Sequence, residues 1–280
     1  MPLNKLCLGK KYTGETSFKV IFDMSKKYAE STQDYNTRYF DEKNPVTPPM
    51  FSVVFQGTAM VKAFFDPELQ ADYARLVHGE QDLYFYKLAV PGDEIFTESE
   101  IVDIQDKGEA GETFSVQTLS KNQNGEDITK GIYTFFIRGK KKADVKATEV
   151  KKQEIPSPIF THLIKVRPDQ SLIYAEASGD RNPIHTQDDF AKSVGLPGVI
   201  LQGLCTMAFC QKAIINELLA GDPTRLKRLK VRFSHIVLPG DILTVKGWII
   251  ETSREKGIIG FVAENQHSSF VITNGIAEII

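Results

Sequence analysis

The sequence predicts an α+β fold of two tandem domains, each an antiparallel sheet wrapped around a central helix. One observation is an internal repeat, in which YAESTQDYNTRY at residues 28–39 matches YAEASGDRNPIH at residues 174–185 (174 − 28 = 146). Another is that each half carries one long apolar run that favours a helix, followed by several runs that favour strands. A repeat of this length indicates two copies of one folding unit.

The repeat continues along the chain in the same order. Further matches are FQG at 55–57 with LQG at 201–203, PGD at 91–93 with 239–241, and ITKGI at 128–132 with ITNGI at 272–276. Loop insertions and deletions explain the small drift in the spacing of these matches. Because only two copies are present, the pattern indicates a duplicated domain and not a solenoid.

The first half is predicted as a strand, a short helix, a long helix and four further strands. The prolines within Asn44–Pro49 exclude a helix there, and Pro67 ends the long helix. The predicted elements are a strand at Ser17–Phe22, helices at Ser25–Ser31 and Phe51–Phe65, and strands near Leu83–Leu88 and at Glu94–Ile104, Thr113–Leu119 and Ile128–Ile137.

The second half is predicted to repeat this order after a linker. Residues 139–158 are rich in lysine, nearly free of large apolar side chains and close with two prolines, which is typical of a linker. The predicted domains are therefore residues 1–138 and 159–280. The predicted elements are a strand at His162–Val166, helices at Gln170–Ala177, Asp188–Val194 and Gly203–Leu219, and strands at Lys230–Val237, Ile242–Glu251, Ile258–Asn265 and Phe270–Ile279.

The long helix of the second half is apolar on nearly every side. Its sequence is VILQGLCTMAFCQKAII at residues 199–215, and a helix that is hydrophobic all round must be buried. The strands that follow are consecutive in the chain, so we expect antiparallel pairing. A sheet wrapped around one buried helix satisfies both expectations, and this is the hotdog architecture, present twice in one chain.

Composition and termini exclude several classes of protein. The net charge of −2 over 280 residues gives no reason to expect a nucleic acid or a membrane surface as partner. No run of about 18 apolar residues is present, the first residues lack the apolar segment of a signal peptide, and the final IAEII is not a peroxisomal tripeptide. Cys7, Cys205 and Cys210 form no CxxC pair and no metal-ligand spacing, so we expect reduced thiols and a cytoplasmic location.

The segment GDRNPIH at residues 179–185 carries the candidate chemistry. Gly179 can end a helix in the left-handed conformation, and Pro183 moves Asn182 out of the helical region, so Asp180 to His185 is predicted as a tight irregular turn. Such a turn can bring a carboxylate and an imidazole together as an acid/base pair that orients and deprotonates a water. Asn182 would hold that water or fix the turn.

The first copy suggests a second interpretation of the same residues. Asp34 and Asn36 persist there although Tyr39 stands in place of His185, which indicates a structural role for the Asp and the Asn. Glycine, aspartate, asparagine and proline are the ordinary residues of turns. The loss of the histidine from one copy indicates that chemistry survives in the other.

The string YAEASGDRNPIH, followed by LPGVILQGLCTMAF, resembles the signature of the MaoC-like (R)-specific enoyl-CoA hydratases and dehydratases. The resemblance covers the whole chain and implies a double hotdog whose first half is catalytically degenerate. It implies that Asp180 and His185 are the catalytic pair, that Asn182 assists them, and that the backbone N–H of Gly203 is the oxyanion donor. Gln202 departs from the family, which has histidine there; we expect its amide to serve in substrate binding or as scaffold.

The resemblance also implies the reaction. Water adds at C3 of a trans-2-enoyl thioester and a proton adds at C2 from the same face, giving an (R)-3-hydroxyacyl thioester reversibly. No metal or redox cofactor is expected, because nothing changes oxidation state and the substrate itself carries CoA or an acyl-carrier phosphopantetheine. The first half is expected to shape an acyl-chain tunnel, and its shorter helix favours medium or long chains. Lys230 and Arg232 share one strand face and are expected to bind CoA phosphates.

Two alternatives remain from the sequence. One is a 3-hydroxyacyl-[acyl-carrier-protein] dehydratase, which runs the same chemistry backwards on a carrier-protein thioester. The other is a non-catalytic module that binds acyl thioesters on the same scaffold, since a fold does not determine a function. The sequence also leaves open whether the chain forms a homodimer.

Overall fold

A computed structural model describes residues 2–13, 17–139 and 154–280. The first half contains helices α1 (Phe22–Ser31) and α2 (Ser52–Phe64) and strands β1 (Lys11–Thr13), β2 (Phe18–Lys19), β3 (Leu76–Phe85), β4 (Glu94–Asp106), β5 (Gly111–Lys121) and β6 (Asp127–Arg138). The second half contains β7 (Phe160–Lys165), helices α3 (Gln170–Ser178), α4 (Pro183–Thr186), α5 (Asp188–Ser193) and α6 (Gly203–Leu218), and strands β8 (Leu226–Phe233), β9 (Ile242–Thr252), β10 (Gly257–Asn265) and β11 (Phe270–Ile279). Both halves therefore run from a short helix through a long helix to four strands.

All strands of the described residues belong to one sheet in which every pairing is antiparallel. Its order is β1-β4-β5-β6-β3-β8-β11-β10-β9-β7, with β2 also paired to β4. The halves join where β3 pairs with β8, and there Leu83 lies opposite Leu229. These two residues occupy equivalent positions of the repeat (229 − 83 = 146), so the halves are related by an approximate twofold axis through this pair.

The residues near this axis hold the halves together. Tyr28 and Tyr174, another equivalent pair, pack with their ring centroids 5.7 Å apart. Arg228 donates from Nε and Nη2 to the two carboxylate oxygens of Asp82, at 2.8 and 2.7 Å. Asp82 and Arg228 are also equivalent positions, so the duplication has placed opposite charges at one repeated site.

The long helix of the second half lies inside the sheet, as its composition predicts. Ten of its residues are buried, and eight of them, among them Met207, Phe209 and Ile214, belong to one apolar cluster that also includes residues of β8 to β11. In the first half, α2 packs on β4 and β5. The predicted α+β fold of two hotdog units is therefore confirmed. None of the described helices is long and apolar enough to cross a membrane.

Several predicted boundaries are wrong. The strand predicted at Ser17–Phe22 is a two-residue pairing of Phe18 and Lys19 with β4, and the chain enters α1 at Phe22. The strand predicted near Leu83–Leu88 begins instead at Leu76 and ends at Phe85, and the one predicted at Lys230–Val237 spans Leu226–Phe233. Both shifts occur in β3 and β8, whose end residues pair with β6 and β11, strands distant in the sequence, so the local sequence does not encode these limits.

The predicted linker falls mostly on residues that the structure does not describe. Of residues 139–158, residues 140–153 lie outside the described ranges, so the division into domains at 138 and 159 stays a prediction. Cys7, Cys205 and Cys210 are buried and unpaired, in agreement with the reduced thiols expected from the sequence.

Candidate active site

The candidate catalytic loop is built by two successive side-chain caps. Gly179 ends α3 in the left-handed conformation, with φ of 80°. The Oδ1 of Asp180 accepts from the N–H of Asn182 at 3.3 Å, and the Oδ1 of Asn182 accepts from the N–H of Ile184 at 3.3 Å. Asn182 thus caps α4, which begins at Pro183, a residue favoured at the first helical position. The irregular turn predicted up to His185 is therefore shorter, because residues 183–186 form one helical turn.

The imidazole of His185 is held with one nitrogen free. Its Nδ1 lies 2.8 Å from the carbonyl oxygen of Ile200. Because a carbonyl can only accept, Nδ1 carries a proton in this arrangement, and Nε2 of the neutral ring presents a lone pair. The ring is mostly buried, with a side-chain exposure of 10%, so the protein fixes both the tautomer and the orientation of this base.

The free nitrogen of His185 faces the carboxylate of Asp180. Their Nε2 and Oδ2 atoms lie 3.9 Å apart, and the Asp180 side chain is 40% exposed. This separation is too long for a direct hydrogen bond, and both atoms are acceptors. A molecule between them must therefore donate, and water can donate to both. The predicted pair is brought together.

The start of α6 supplies two backbone donors beside this loop. Gly203 is its first residue, and the first bonds of the helix run from the N–H groups of Cys205 and Thr206 to the carbonyl of Gln202. The N–H groups of Gly203 and Leu204 precede this ladder and have no acceptor within the described ranges. The helix dipole adds positive potential at this point, so the site can stabilise an oxyanion.

A side chain at the first position of α6 would crowd a neighbouring aromatic ring. A Cβ built on Gly203 would lie 3.0 Å from Cε1 of Phe233 and 3.1 Å from its Cδ1. The ring of Phe233 therefore covers one side of the Gly203 backbone, and any larger residue would displace that ring or the N–H beside it.

Gln202 connects the helix start to the catalytic loop. This side chain is fully buried, and its Nε2 donates to the carbonyl oxygens of Ser171 at 3.0 Å and Asp180 at 3.3 Å. Its Oε1 has no hydrogen-bond partner in the described part of the chain. The amide therefore positions Asp180 relative to Gly203, while contact with a substrate stays a prediction.

The two predicted cations are not part of this cluster. Lys230 and Arg232 alternate along β8 with the buried residues Leu229 and Val231, so they project from the opposite, outer face of the sheet. Arg232 lies 3.9 Å from a carboxylate oxygen of Glu80. Their contact with CoA phosphates stays a prediction.

The equivalent loop of the first half keeps the turn but differs in the burial of its aspartate, in the residue at the histidine position and in the start of the helix that follows. The Oδ1 of Asp34 accepts from the N–H of Asn36, and Asn36 caps the next turn, as in the second copy. Asp34 is only 2% exposed, and burial raises its pKa to about 6. Tyr39 is fully buried, and its hydroxyl has no partner among the residues described. Gly57 lies inside α2, which begins at Ser52.

Sequence reasoning missed residues that reach the site only through the fold. The carbonyl of Ile200 orients His185, and Phe233 covers Gly203. His78 of the first half packs against Phe233 with ring centroids 4.9 Å apart. The repeat gives no signal for them, because Lys87 and Thr224 stand at the positions equivalent to Phe233 and His78 (233 − 87 = 146; 224 − 78 = 146). Within the described ranges, no three His, Cys, Asp or Glu side chains are grouped to hold a metal ion.

Comparison with known proteins identifies related sequences over most of the chain. Residues 148–269 match the MaoC like domain, and residues 7–130 match the FAS1-like dehydratase domain region. The chain is 30% identical over 240 residues to the probable enoyl-CoA hydratase 2 of Dictyostelium discoideum, covering 82% of this chain and 80% of that protein. It is 30% identical to the peroxisomal enoyl-CoA hydratase 2 of Arabidopsis thaliana, covering 72% and 69%.

Solved structures extend the likeness to the full fold. A MaoC-like dehydratase from Phytophthora capsici superposes with a TM-score of 0.80 at 25% identity, covering 100% of this chain and 98% of that one. A Mycobacterium tuberculosis protein described as a double hotdog superposes with a TM-score of 0.60 at 10% identity, covering 97% and 96%. The second likeness concerns the fold alone.

Proposed function

The chain belongs to the MaoC-like dehydratase family and is a hydro-lyase, and on that premise we propose that it interconverts trans-2-enoyl-CoA and (R)-3-hydroxyacyl-CoA. One observation carries the proposal. The free Nε2 of His185 lies 3.9 Å from Oδ2 of Asp180, beside a helix whose first N–H groups are unused. These are the groups that addition of water to an unsaturated thioester requires: acceptors for its proton and donors for the charge that develops.

The proton acceptors act on the water. A water between His185 and Asp180 donates one hydrogen to each, which directs an oxygen lone pair at C3 of the enoyl chain. As the C–O bond forms, one O–H bond breaks and its proton passes to the pair. The same pair then returns a proton to C2. Because both atoms come from one side of the substrate, addition occurs on a single face, and the likeness to the (R)-specific hydratases supports the (R) product.

The backbone donors act on the thioester. Its carbonyl oxygen accepts from the N–H of Gly203, with that of Leu204 nearby, and gains negative charge as the C2–C3 double bond is attacked. Removing one such donor from an enzyme typically costs about 10²–10³ in rate. Gln202 precedes Gly203 in the chain, and its side-chain amide donates to the carbonyl of Asp180. This contact holds the acid/base pair in place relative to the backbone donors. The step exchanges no electrons with a cofactor, and we propose that the enzyme uses none.

The first half contributes by shape in this proposal. It has lost the acid/base pair, and its strand β3 pairs with β8 next to Gly203 and Phe233. We propose that the acyl chain extends from the thioester towards this half. Dehydration of a 3-hydroxyacyl thioester is the reverse reaction at the same groups. The match of residues 7–130 to a FAS1-like dehydratase domain region supports this direction, and a carrier-protein thioester is the second candidate substrate.

Turnover and stereochemistry test the proposal together. The enzyme is incubated with crotonyl-CoA, loss of the conjugated thioester absorbance is followed, and the product is analysed on a chiral column. We expect hydration to the (R) product, with lower kcat/KM for the same acyl group on a carrier protein. An (S) product would contradict the proposed face of attack. Absence of turnover on every enoyl-CoA from four to twelve carbons would contradict the proposed function.

A further inference from the structure

The two ends of the β3–β8 pairing, where the halves join, are filled differently. Beyond the end that lies beside the active site, the rings of His78 and Phe233 pack edge-on with centroids 4.9 Å apart. The equivalent positions beyond the other end hold Thr224 and Lys87 (224 − 78 = 146; 233 − 87 = 146). Neither of these side chains carries a ring, so this end lacks the ring pair that closes the other.

A cavity lies at the end that lacks the ring pair. Its volume is about 170 Å³, and a cavity of roughly 150 Å³ can hold an organic molecule of about six heavy atoms. Tyr86 and Lys87 are exposed to solvent, so the cavity can be reached from the surface. Both halves contribute to its lining, which consists of Phe85, Tyr86, Lys87 and Leu88 of the first half and Thr224, Leu226 and Lys227 of the second.

One wall of the cavity is apolar. Phe85 and Leu226 are buried, with exposures of 3% and 1%, and Leu88 is half-buried. Water in contact with such a wall is displaced favourably by an apolar group. We therefore expect an occupant of this cavity to have an apolar part.

The lysine on the opposite side of the cavity stands at a bulge in β8. Leu226 and Arg228 pair with two consecutive residues of β11, Ile279 and Glu278, so Lys227 between them has no residue opposite it. A bulge of this kind changes the direction of a side chain and is frequent beside binding sites. Lys227 is half-buried there and lines the cavity.

The charge of Lys227 has no counter-charge in the cavity. Its ammonium has no hydrogen-bond or ion-pair partner in the described part of the chain, and none of the lining residues is acidic. The second lining lysine, Lys87, is already paired with Glu126 at 2.8 Å. Asp222, earlier in the same segment, is paired with Arg38. One uncompensated positive charge beside an apolar wall favours a singly charged anion that has an apolar part.

We propose that this cavity binds a small carboxylate with a short apolar chain. The carboxylate accepts a hydrogen bond from Nζ of Lys227. The chain packs against the apolar wall formed by Phe85, Leu88 and Leu226. This carboxylate site goes beyond the proposed function, because it lies at the opposite end of the β3–β8 pairing from the active site and uses no residue of the acid/base pair.

Titrations of three small ligands test the carboxylate site. Butanoate, butanamide and inorganic phosphate are added to the protein at constant ionic strength, and binding is followed by ligand-observed ¹H and ³¹P NMR. We expect butanoate to bind the wild type about tenfold more tightly than butanamide, because a hydrogen bond to a charged group contributes more than one between neutral groups. Phosphate should bind at least about tenfold more weakly than butanoate, because it has no apolar part.

Three variants locate the binding. Lys227→Met removes the unpaired charge, so the ratio of the butanoate and butanamide affinities should fall to about one. Lys165→Met removes an exposed lysine from β7, at the far edge of the sheet, and as the matched control should keep the tenfold ratio. The double variant Lys87→Phe/Thr224→His gives the cavity the ring pair of the other end and should abolish butanoate binding, with circular dichroism to verify folding.

The outcomes separate this inference from the proposed function. Equal affinities of butanoate and butanamide for the wild type, or a tenfold ratio that survives Lys227→Met, would overturn the carboxylate site. Phosphate binding as tight as that of butanoate would do the same, because the apolar wall would then contribute nothing. Lys227→Met should hydrate crotonyl-CoA at the wild-type rate, and a loss of both hydration and butanoate binding would place butanoate in the active site instead. Absence of hydration by the wild type would remove only the proposed function.

Discussion

The two copies of the repeated loop share one turn conformation but differ in how accessible their side chains are. In both, an aspartate accepts from the N–H two residues later, and the asparagine at that position caps the following turn. The first copy closes its loop: Asp34 is buried, and Tyr39 fills the place of the imidazole. In the second, Asp180 remains accessible and His185 keeps a free nitrogen. The Asp and the Asn therefore persist because the turn needs them, whereas the proposed chemistry depends on the histidine that only the second copy has.

The helices that follow the two loops differ as much as the loops do. Gly203 is the first residue of α6, so its N–H is unused, whereas α2 begins five residues before Gly57 and absorbs the equivalent N–H into its ladder (57 − 52 = 5). The first half thus differs from the proposed site in the position of a helix start as well as in a side chain. A backbone donor can disappear with its glycine still in place.

The closed loop of the first half has become a contact for the second half. The Nδ2 of Asn36 donates to the carbonyl of Gly221 at 2.7 Å, and Arg38 pairs with Asp222. The Oε1 of Gln211, within α6, accepts from the N–H of Met50 at 2.6 Å. The Nε2 of Gln211 also donates to Oδ2 of Asp34 at 3.3 Å, so the loop that lacks the histidine attaches the first half to the buried helix of the second.

The largest expected difference between the copies lies in their acid/base positions. Asp180→Asn and His185→Ala should each lower kcat by at least about a hundredfold, because a positioned acid or base contributes about 10²–10⁴ in rate. The matched changes in the first copy, Asp34→Asn and Tyr39→Phe, should leave kcat within about twofold. The measurement is steady-state hydration of crotonyl-CoA, with circular dichroism to verify folding. Equal losses in both copies would break the comparison.

The two helix glycines should respond in opposite ways to the same substitution. Gly203→Ala places a Cβ 3.0 Å from the Phe233 ring, and we expect this contact to shift the backbone N–H of residue 203. The value of kcat should therefore fall about tenfold, which is less than the loss expected when an oxyanion donor is removed completely. Gly57→Ala meets no atom within 4 Å inside a helix and should stabilise the fold by about 0.5–1 kcal/mol. Kinetics and denaturant unfolding of both variants check the pair; a slow Gly57→Ala enzyme would contradict it.

Burial of Asp34 should be visible in the pH dependence of stability. Its pKa is raised from 3.8 to about 6, so the folded state binds the proton more tightly than the unfolded chain does. The stabilisation from this group is present below pH 4 and is lost as pH rises through about 6. Relative to wild type, Asp34→Asn should therefore gain up to about 3 kcal/mol in free energy of unfolding between pH 4 and pH 7. Urea titrations at the two pH values measure it, and a constant difference would refute the burial argument.

The last variant is expected to leave activity unchanged. Adding Tyr39→His to His185→Ala restores a histidine to the first copy, yet Asp34 stays buried and the N–H of Gly57 stays inside α2. We expect the double variant to be as inactive as His185→Ala. Recovered hydration would show that the residue at position 39 alone accounts for the difference in activity between the two copies.

The sequence allows prediction of most elements for local physical reasons. Apolar periodicity locates α2 and α6 to within a residue, and the glycine and proline around Asp180 predict the bend. The pair of Asp180 and His185 is close in sequence, so its proximity follows from that bend. The limits of β3 and β8 could not be predicted, because their end residues pair with β6 and β11, which are distant in the sequence. For the same reason His78 and Phe233, distant in sequence, meet only in the folded chain.

The opposite charges of Asp82 and Arg228 favour the pairing of unlike halves. In a symmetric assembly of two first halves, the shared position would set aspartate against aspartate across the axis, and two second halves would set arginine against arginine. Like-charged pairings repel where the present one attracts, so the ion pair selects one first half and one second half as partners.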